Sequence, residues 1–462
     1  MAIDPGIFRQ YDIRGLVGAG LDEATVEAVG RAFGTRMARL GRRAIAVGRD
    51  VRESSEPFAR ALVAGLLASG VDAVDVGVVP TPLLYYAIIR EHLDGGVMIT
   101  GSHNPVTYNG LKICEGKLPL YGEEIQDLRR AIEAGDLDAG SGERRELDVR
   151  DAYLADLGGR FSFGRRFKVV VDCGNGVGGP VVTRALRAAG HEVVELYTEP
   201  DGTFPNHLPD PEVPEYVQDL IAKVRECGAD CGFGFDGDAD RLGVIDEAGR
   251  KISADWLIVA FARDLLRRHP GGIVRYDVKC SDFLDEEIRA AGGRPVMGRT
   301  GHSILKREMA DLDAVLGGEL SGHIVFGRDY YPIDDPIYCA LQVLRLMEES
   351  GRPCSGLFDG IPRTFATAEI KAPCADDRKF DVVAKLVEAF RADHEVVDVD
   401  GARVAVPEGE GWGLVRASNT TANLTIRFES RSEAGLARVR EIFLRRLERF
   451  PEIDLDPVRE AF

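Results

Sequence analysis

No stretch of this 462-residue chain approaches the ~20 consecutive apolar residues of a membrane-crossing helix, which excludes a helical membrane span. Positive charge is also short: 58 Lys and Arg stand against 76 Asp and Glu, a formal net charge of −18. A body this acidic disfavours general binding to nucleic acid or to anionic membrane, since both require a cationic face. An anionic small molecule can still bind, provided a local cationic pocket is carved into the surface. Cysteine is sparse and scattered. Cys227 and Cys231 are close in sequence, yet no histidine or second cysteine pair nearby completes a tetrahedral zinc set. The opening MAIDPGIFRQYDIRG lacks the apolar stretch of a secretory signal, so a cytoplasmic protein with reduced thiols is the expectation. No short-period repeat or low-complexity tract is visible, and any relation between larger units lies below what one sequence can show.

What is present describes a globular chain of several domains. Hydrophobic residues make up 45% and charged residues 29%, and the length calls for three or four cores rather than one. Amphipathic helices over 21–40, 56–69 and 81–90 alternate with apolar strands over 44–50, 71–79 and 95–100, the rhythm of an α/β layer. The rhythm restarts at FKVVVDCGNG and again after a hairpin near Glu247–Gly249. From about Thr364 it changes to strands with helices over 380–393 and 433–448, an antiparallel α+β block. The expected division is 1–147, 148–252 and 253–363 as α/β domains of mixed sheet, and 364–462 as a smaller α+β domain.

Each unit holds one motif with chemical content. TGSHNP (Thr100–Pro105) follows a strand; Gly101 permits a tight backbone, Ser102 can be presented clear of the sheet, and His103 can orient it or hold a proton. Alone it is equally an ordinary turn. DGDADR (Asp236–Arg241) sets Asp236, Asp238 and Asp240 at alternate positions after the apolar run CGFGF. Three such carboxylates repel one another unless a hard cation such as Mg²⁺ sits among them. The spacing is not that of an EF-hand, nor is it the D-x-D-x-T of haloacid-dehalogenase phosphatases. GGELSGH (Gly317–His323) carries Glu319 and Ser321, which point the same way in an extended loop and suit two adjacent sugar hydroxyls; a helix cap plus turn is the alternative. RASNTTANLTIRFES (Arg416–Ser430) gathers Arg416, Ser418, Asn419 and Thr420, donors suited to a dianionic phosphate or else to a polar hairpin.

In order and content these motifs resemble the α-D-phosphohexomutase family, most closely its bacterial phosphomannomutase/phosphoglucomutase group. The resemblance spans the whole chain and takes in FRQYDIRG, VGRD, YNGLKI, DCGNG, PNHLPDPEVPE, YDVKCS and GGRPVMGRTGHS. It implies four domains around a deep cleft, the last able to swing. It makes Ser102 the phosphorylated serine and, with Asp236, Asp238 and Asp240, a Mg²⁺ ligand. Lys112, Arg14 and His302 fall where the family handles protons and charge. Tyr11, His103, Arg241, Lys279 and His323 match cleft positions. Glu319 and Ser321 match the residues that hold the sugar 3- and 4-hydroxyls, and Arg416, Ser418, Asn419 and Thr420 match the distal phosphate loop. The implied reaction moves a phosphoryl group between C6 and C1 of glucose or mannose through a hexose 1,6-bisphosphate, with glucose 1,6-bisphosphate as activator.

The chain departs from the family pattern at Ala239, where glycine is usual, and at Ala422, Asn423 and Leu320. It also departs at Gly298, where an aromatic is common and where glycine is expected to loosen the sugar site. Three other readings remain. A phosphoglucosamine mutase typically has glutamine at the place of Leu320. A metal-dependent sugar phosphatase needs an aspartate nucleophile or an open water site. A silent phosphosugar-binding relative would have lost Ser102 or one of the three aspartates.

Overall fold

A computed structural model describes residues 3–419 and 421–461; Thr420, expected in the phosphate loop, lies outside the described residues. Four sheets organise the chain. In the first, strands Asp72–Val78, Ala44–Arg49 and Gly95–Ile99 run parallel and Tyr108–Glu115 returns antiparallel beside Gly95–Ile99. The second repeats this with Glu192–Leu196, Lys168–Asp172 and Cys231–Phe235 parallel and Leu242–Asp246 antiparallel. The third does so with Arg294–Gly298, Ile273–Asp277 and Leu316–Gly318, closed by antiparallel Ile324–Phe326. One topology is therefore used three times. The fourth sheet is antiparallel, centred on Gly411–Ala417 and Asn423–Ser430.

Local chemistry explains the elements. The parallel strands are short apolar runs such as Val169, Val170 and Val171, buried because helices cover both sheet faces. Helix Glu23–Arg39 buries Val26, Val29, Phe33 and Met37 along one stripe, and Asp22 caps it by accepting the Thr25 N–H at 2.8 Å. The periodic segments read from the sequence are present with their ends shifted by two residues at most.

The repeated topology positions all four motifs alike. Each lies on the connection between a strand and its antiparallel neighbour: 100–107, 236–241, 319–323 and 418–422. In the first three units this is the carboxyl end of a central parallel strand, where open α/β sheets build their sites. One apolar core runs through the first three units, from Ala46 to Ile361, whereas the fourth has its own core from Ile370 to Val458. The fourth unit docks through a small buried apolar cluster of Val278, Trp412 and Leu414 and through polar contacts around it. Arg403 and Arg427 lie over the Trp412 ring at 3.6 and 5.7 Å, and donate to the carbonyls of Cys280 and Lys279. Among the described residues, no helix is long and apolar enough to cross a membrane.

Candidate active site

Ser102 meets the second unit directly. Its backbone takes φ 49°, a left-handed conformation that costs a non-glycine residue roughly 1–2 kcal/mol and aims Oγ off the end of strand Gly95–Ile99. Oγ donates to Asp236 Oδ2 at 2.7 Å and lies 3.1 Å from His103 Nδ1. Burial, then the nearby cations Arg241 and Arg14, hold the His103 pKa well below its usual value, so His103 is neutral.

Asp236, Asp238 and Asp240 bring one oxygen each within 4.8 Å of one another, and all three are buried. Lys112 of the first unit donates to Asp238 Oδ2 at 2.6 Å and to Asp240 Oδ2. Burial would pull the Lys112 pKa down, but Asp238, Asp240 and Asp236 outweigh it and keep the ammonium charged. Thr81 Oγ1 adds a bond to Asp238 Oδ2 at 2.7 Å. Asp236 moves the other way: burial, then repulsion by Asp240 and Asp238, raises its pKa well above the carboxylate range. Asp238 Oδ1 and Asp240 Oδ1 are buried without a hydrogen-bond partner among the described residues. Unpaired carboxylate oxygens in an all-oxygen, net negative cluster fit a hard divalent cation. Ala239, within this loop, also takes a positive φ of 51°, which explains why glycine is the easier residue there.

Behind the cluster, His323 Nδ1 stands 3.2 Å from Asp334 Oδ2 and 3.7 Å from Asp240 Oδ1. Arg241 Nε donates to His323 Nε2 at 3.1 Å. A guanidinium only donates, so Nε2 is the acceptor and Nδ1 carries the proton toward Asp334. Asp240, His323 and Asp334 also bring one ligand atom each within 4.8 Å of one another. The His302 ring stacks on His323 with centroids 5.4 Å apart. Burial, then Lys306 and Lys112, push the His302 pKa well below normal, leaving a neutral imidazole that can accept a proton. Arg14 pairs with Asp12 at 2.7 Å and donates to Asn104 at 3.3 Å, beside the Ser102 loop.

On the far wall, Lys279 donates to Glu369 at 2.6 Å, and Arg416 Nε donates to Asp400 at 2.9 Å. Asn419 donates to Tyr11 Oη, which in turn donates to the Thr300 carbonyl at 2.5 Å. Burial raises the Tyr11 pKa to about 12, with Arg416 opposing, so the phenol stays protonated. Tyr11 therefore links the first, third and fourth units across the mouth of the cleft.

Four models of the phosphoglucomutase/phosphomannomutase family match in order: α/β/α domain I over 5–138, domain II over 151–249, domain III over 253–365 and the C-terminal domain over 369–446. The chain belongs to this family. Phosphomannomutase/phosphoglucomutase of Pseudomonas aeruginosa is 43% identical over 443 residues, 96% of this chain and 95% of that one. Phosphoglucomutase of Neisseria gonorrhoeae is 39% identical over 457 residues, 98% and 99% of the two chains. A solved phosphoglucomutase/phosphomannomutase family protein from Burkholderia thailandensis superimposes with a TM-score of 0.90 at 41% identity, covering 97% of this chain and 98% of that one.

The fold joins Ser102, Lys112, Asp236, Asp238, Asp240, Arg241, His323 and His302 through direct contacts, and joins Tyr11 to Arg416 and Asn419, with three differences from the reading of the sequence. Glu319 and Ser321 do not lie on an extended loop. The Gly322 N–H bonds the Glu319 carbonyl at 3.0 Å, closing a turn in which Ser321 Oγ reaches Glu319 Oε2 at 3.4 Å. The two still face the same way, through curvature instead of alternation. Gly298 does not loosen the sugar site: a Cβ there would stand 2.4 Å from Glu308 Oε2 and 2.5 Å from Arg275 Nε, so the ion pair of buried Arg275 with half-buried Glu308 fills the space. Arg416 is not a free fork, since Asp400 and Tyr11 occupy it. Asp334, Asp400, Glu369 and Thr81 escaped sequence reasoning because each sits outside the motifs. The need for them arises only in the folded chain, where Lys112, Lys279 and Arg416 are buried and require matching carboxylates.

Proposed function

We propose that the chain interconverts hexose 1-phosphate and hexose 6-phosphate, of glucose and mannose, through a phosphoserine at Ser102. The carrying observation is a serine hydroxyl 2.7 Å from one member of a three-aspartate cluster, with a charged lysine on the other two. Phosphoryl transfer asks chiefly for alignment and for neutralisation of charge, and this arrangement offers both. Mg²⁺ is the assigned cation; held by Asp236, Asp238, Asp240 and the Ser102 oxygen, it would supply Lewis-acid charge withdrawal. Lys112 and Arg14 are assigned to the transferring group, Lys112 within reach of the cluster and Arg14 through its contact with the Ser102 loop at Asn104. His302, neutral and buried, is assigned to take the proton of the attacking sugar hydroxyl. Glu319 and Ser321 receive the 3- and 4-hydroxyls, and His103, Arg241, Lys279, His323 and Tyr11 line the path. Arg416, Ser418 and Asn419, with Thr420, take the phosphate that is not moving.

The substrate hydroxyl attacks the phosphoserine, giving a hexose 1,6-bisphosphate and free Ser102. The bisphosphate then turns over and returns its other phosphate to Ser102. A fourth domain with a core of its own suits that turnover. A coupled assay with glucose 1-phosphate and mannose 1-phosphate, primed with glucose 1,6-bisphosphate, should yield 6-phosphates. Release of inorganic phosphate instead would make the protein a phosphatase.

Two further expectations follow from the assignments. Arg416→Ala should lower kcat/KM by one to two orders of magnitude, because a charge-assisted hydrogen bond contributes ~1.5–3 kcal/mol and each ~1.4 kcal/mol is tenfold. Ser102 should remain open to phosphorylation by bisphosphate in that variant. Steady-state kinetics unchanged from the parent would move the phosphate to other residues.

Glucose and mannose phosphates should be used with kcat/KM values within about tenfold, or ~1.4 kcal/mol. Glu319 and Ser321 grip O3 and O4, and no residue assigned above reads C2, where the two sugars differ. Neither epimer then strands a buried polar group, the usual source of strong discrimination. Galactose 1-phosphate, inverted at C4, should be a poor substrate. A thousandfold preference between glucose and mannose would reveal a residue that reads C2.

A further inference from the structure

The loop that carries Ser102 is held by a side chain outside all four motifs. Arg52 follows strand Ala44–Arg49 and is 3% exposed. Its Nη2 donates to the carbonyls of Ser102 at 2.9 Å and Asn104 at 2.6 Å. Its Nη1 donates to those of Pro105 at 2.8 Å and Tyr108 at 3.1 Å. Nε takes Asp50 Oδ2 at 3.2 Å, so the five N–H donors of a guanidinium meet five acceptors. Asp50 Oδ2 also receives the Gly101 N–H at 3.0 Å, which ties the same loop from its other end. Gly101 lies flat against the guanidinium, and a Cβ there would stand 2.4 Å from Arg52 Cζ. Phe204 of the second unit covers the guanidinium, its ring centroid 5.0 Å from Cζ.

We propose that Arg52 is the positioning residue of the phosphoserine loop. It holds the carbonyls of Ser102, Asn104 and Pro105 in the loop and of Tyr108 at the start of the next strand, which fixes the left-handed backbone at Ser102 and so sets where Oγ stands. The inference rests on the assignment of Ser102 as phosphoryl carrier. A lysine preserves the charge but offers three donors diverging from one point, which cannot match four carbonyls and a carboxylate. Because the residue acts on Oγ placement and touches no substrate, its loss should fall on the transfer step and leave substrate binding intact.

The test uses full-length wild type, Arg52→Lys, Arg52→Ala and Phe204→Leu, each incubated with glucose 1,6-bisphosphate. Wild type should gain one phosphate at Ser102 by intact mass and peptide mapping. If it gains none, the assignment of Ser102 fails and this inference falls with it. With that phosphate present, both Arg52 variants should lose about a hundredfold in kcat, the scale of an ångström's misplacement, with KM for glucose 1-phosphate unchanged. Their phosphoserine should also be lost to water faster relative to transfer. Arg52→Lys turning over at the wild-type rate, or kcat and KM worsening together, overturns the proposal while leaving Ser102 in its role. Should the Arg52 variants fail to fold, Phe204→Leu still decides: a smaller loss confined to kcat supports it, and unchanged kinetics refutes it.

Discussion

Replacing Ser102 by alanine is expected to abolish mutase turnover, with kcat reduced by more than about a thousandfold, a barrier increase above ~4 kcal/mol. The substitution removes one atom, the Oγ that donates to Asp236 at 2.7 Å. The loop should keep its course, because the Ser102 N–H is held by Thr100 Oγ1 at 2.8 Å and its carbonyl by Arg52 at 2.9 Å. Loss of a hydrogen bond of this kind costs stability only ~1 kcal/mol, so the variant should fold. What disappears is the acceptor that divides the transfer into two steps. Intact-mass measurement after treatment with glucose 1,6-bisphosphate should show one added phosphate in the parent and none in Ser102→Ala. A phosphate mapped to an aspartate, or an alanine variant that still isomerises, would defeat the phosphoserine mechanism.

Removal of divalent cations should have an effect of comparable size. Asp236, Asp238 and Asp240 are fully enclosed, and Lys112 neutralises only the Oδ2 oxygens of the latter two. Their Oδ1 oxygens have no hydrogen-bond partner among the described residues, a cost that a cation would remove. A metal acting as Lewis acid contributes several kcal/mol to stabilising transferred charge, so chelation should lower turnover by at least about two orders of magnitude and Mg²⁺ should restore it. Binding can be followed apart from activity. At a hundred times its Kd, Mg²⁺ should stabilise the fold by ~2.7 kcal/mol, seen as a rise in Tm that Asp238→Asn diminishes. Full activity in a thoroughly chelated sample, with a Tm indifferent to Mg²⁺, would remove the metal from the mechanism.

Much of the fold was legible because secondary structure is written in local patterns. The stripe of Val26, Val29, Phe33 and Met37 announces a helix whatever it packs on, and three consecutive valines at 169–171 announce a buried strand. The motif residues were legible for a related reason: neighbours in sequence stay neighbours in space. Asp236, Asp238 and Asp240 sit on one loop, and no fold could scatter them. The shared topology of the first three units was not legible, since strand order depends on which apolar runs pair across long crossovers, and apolar runs look alike.

The sequence by itself determined the element types, the family and the residue groups with chemical content: a serine on a strand-end loop, three clustered carboxylates, the Glu319 and Ser321 pair and an arginine-led polar loop. Only the tertiary structure decided which groups oppose them. It set Lys112 on Asp238 and Asp240, Asp334 on His323, Glu369 on Lys279, Asp400 on Arg416 and Arg52 on the carbonyls behind Ser102. It also replaced an expected gap at Gly298 with the Arg275–Glu308 pair. Most of these are electrostatic matches between groups that the chain brings together from distant segments; His323 with Asp334 and Arg416 with Asp400 are the pairs closer in sequence. Charge carries no sign of its partner until burial makes an unpaired one costly, and burial is a property of the folded molecule.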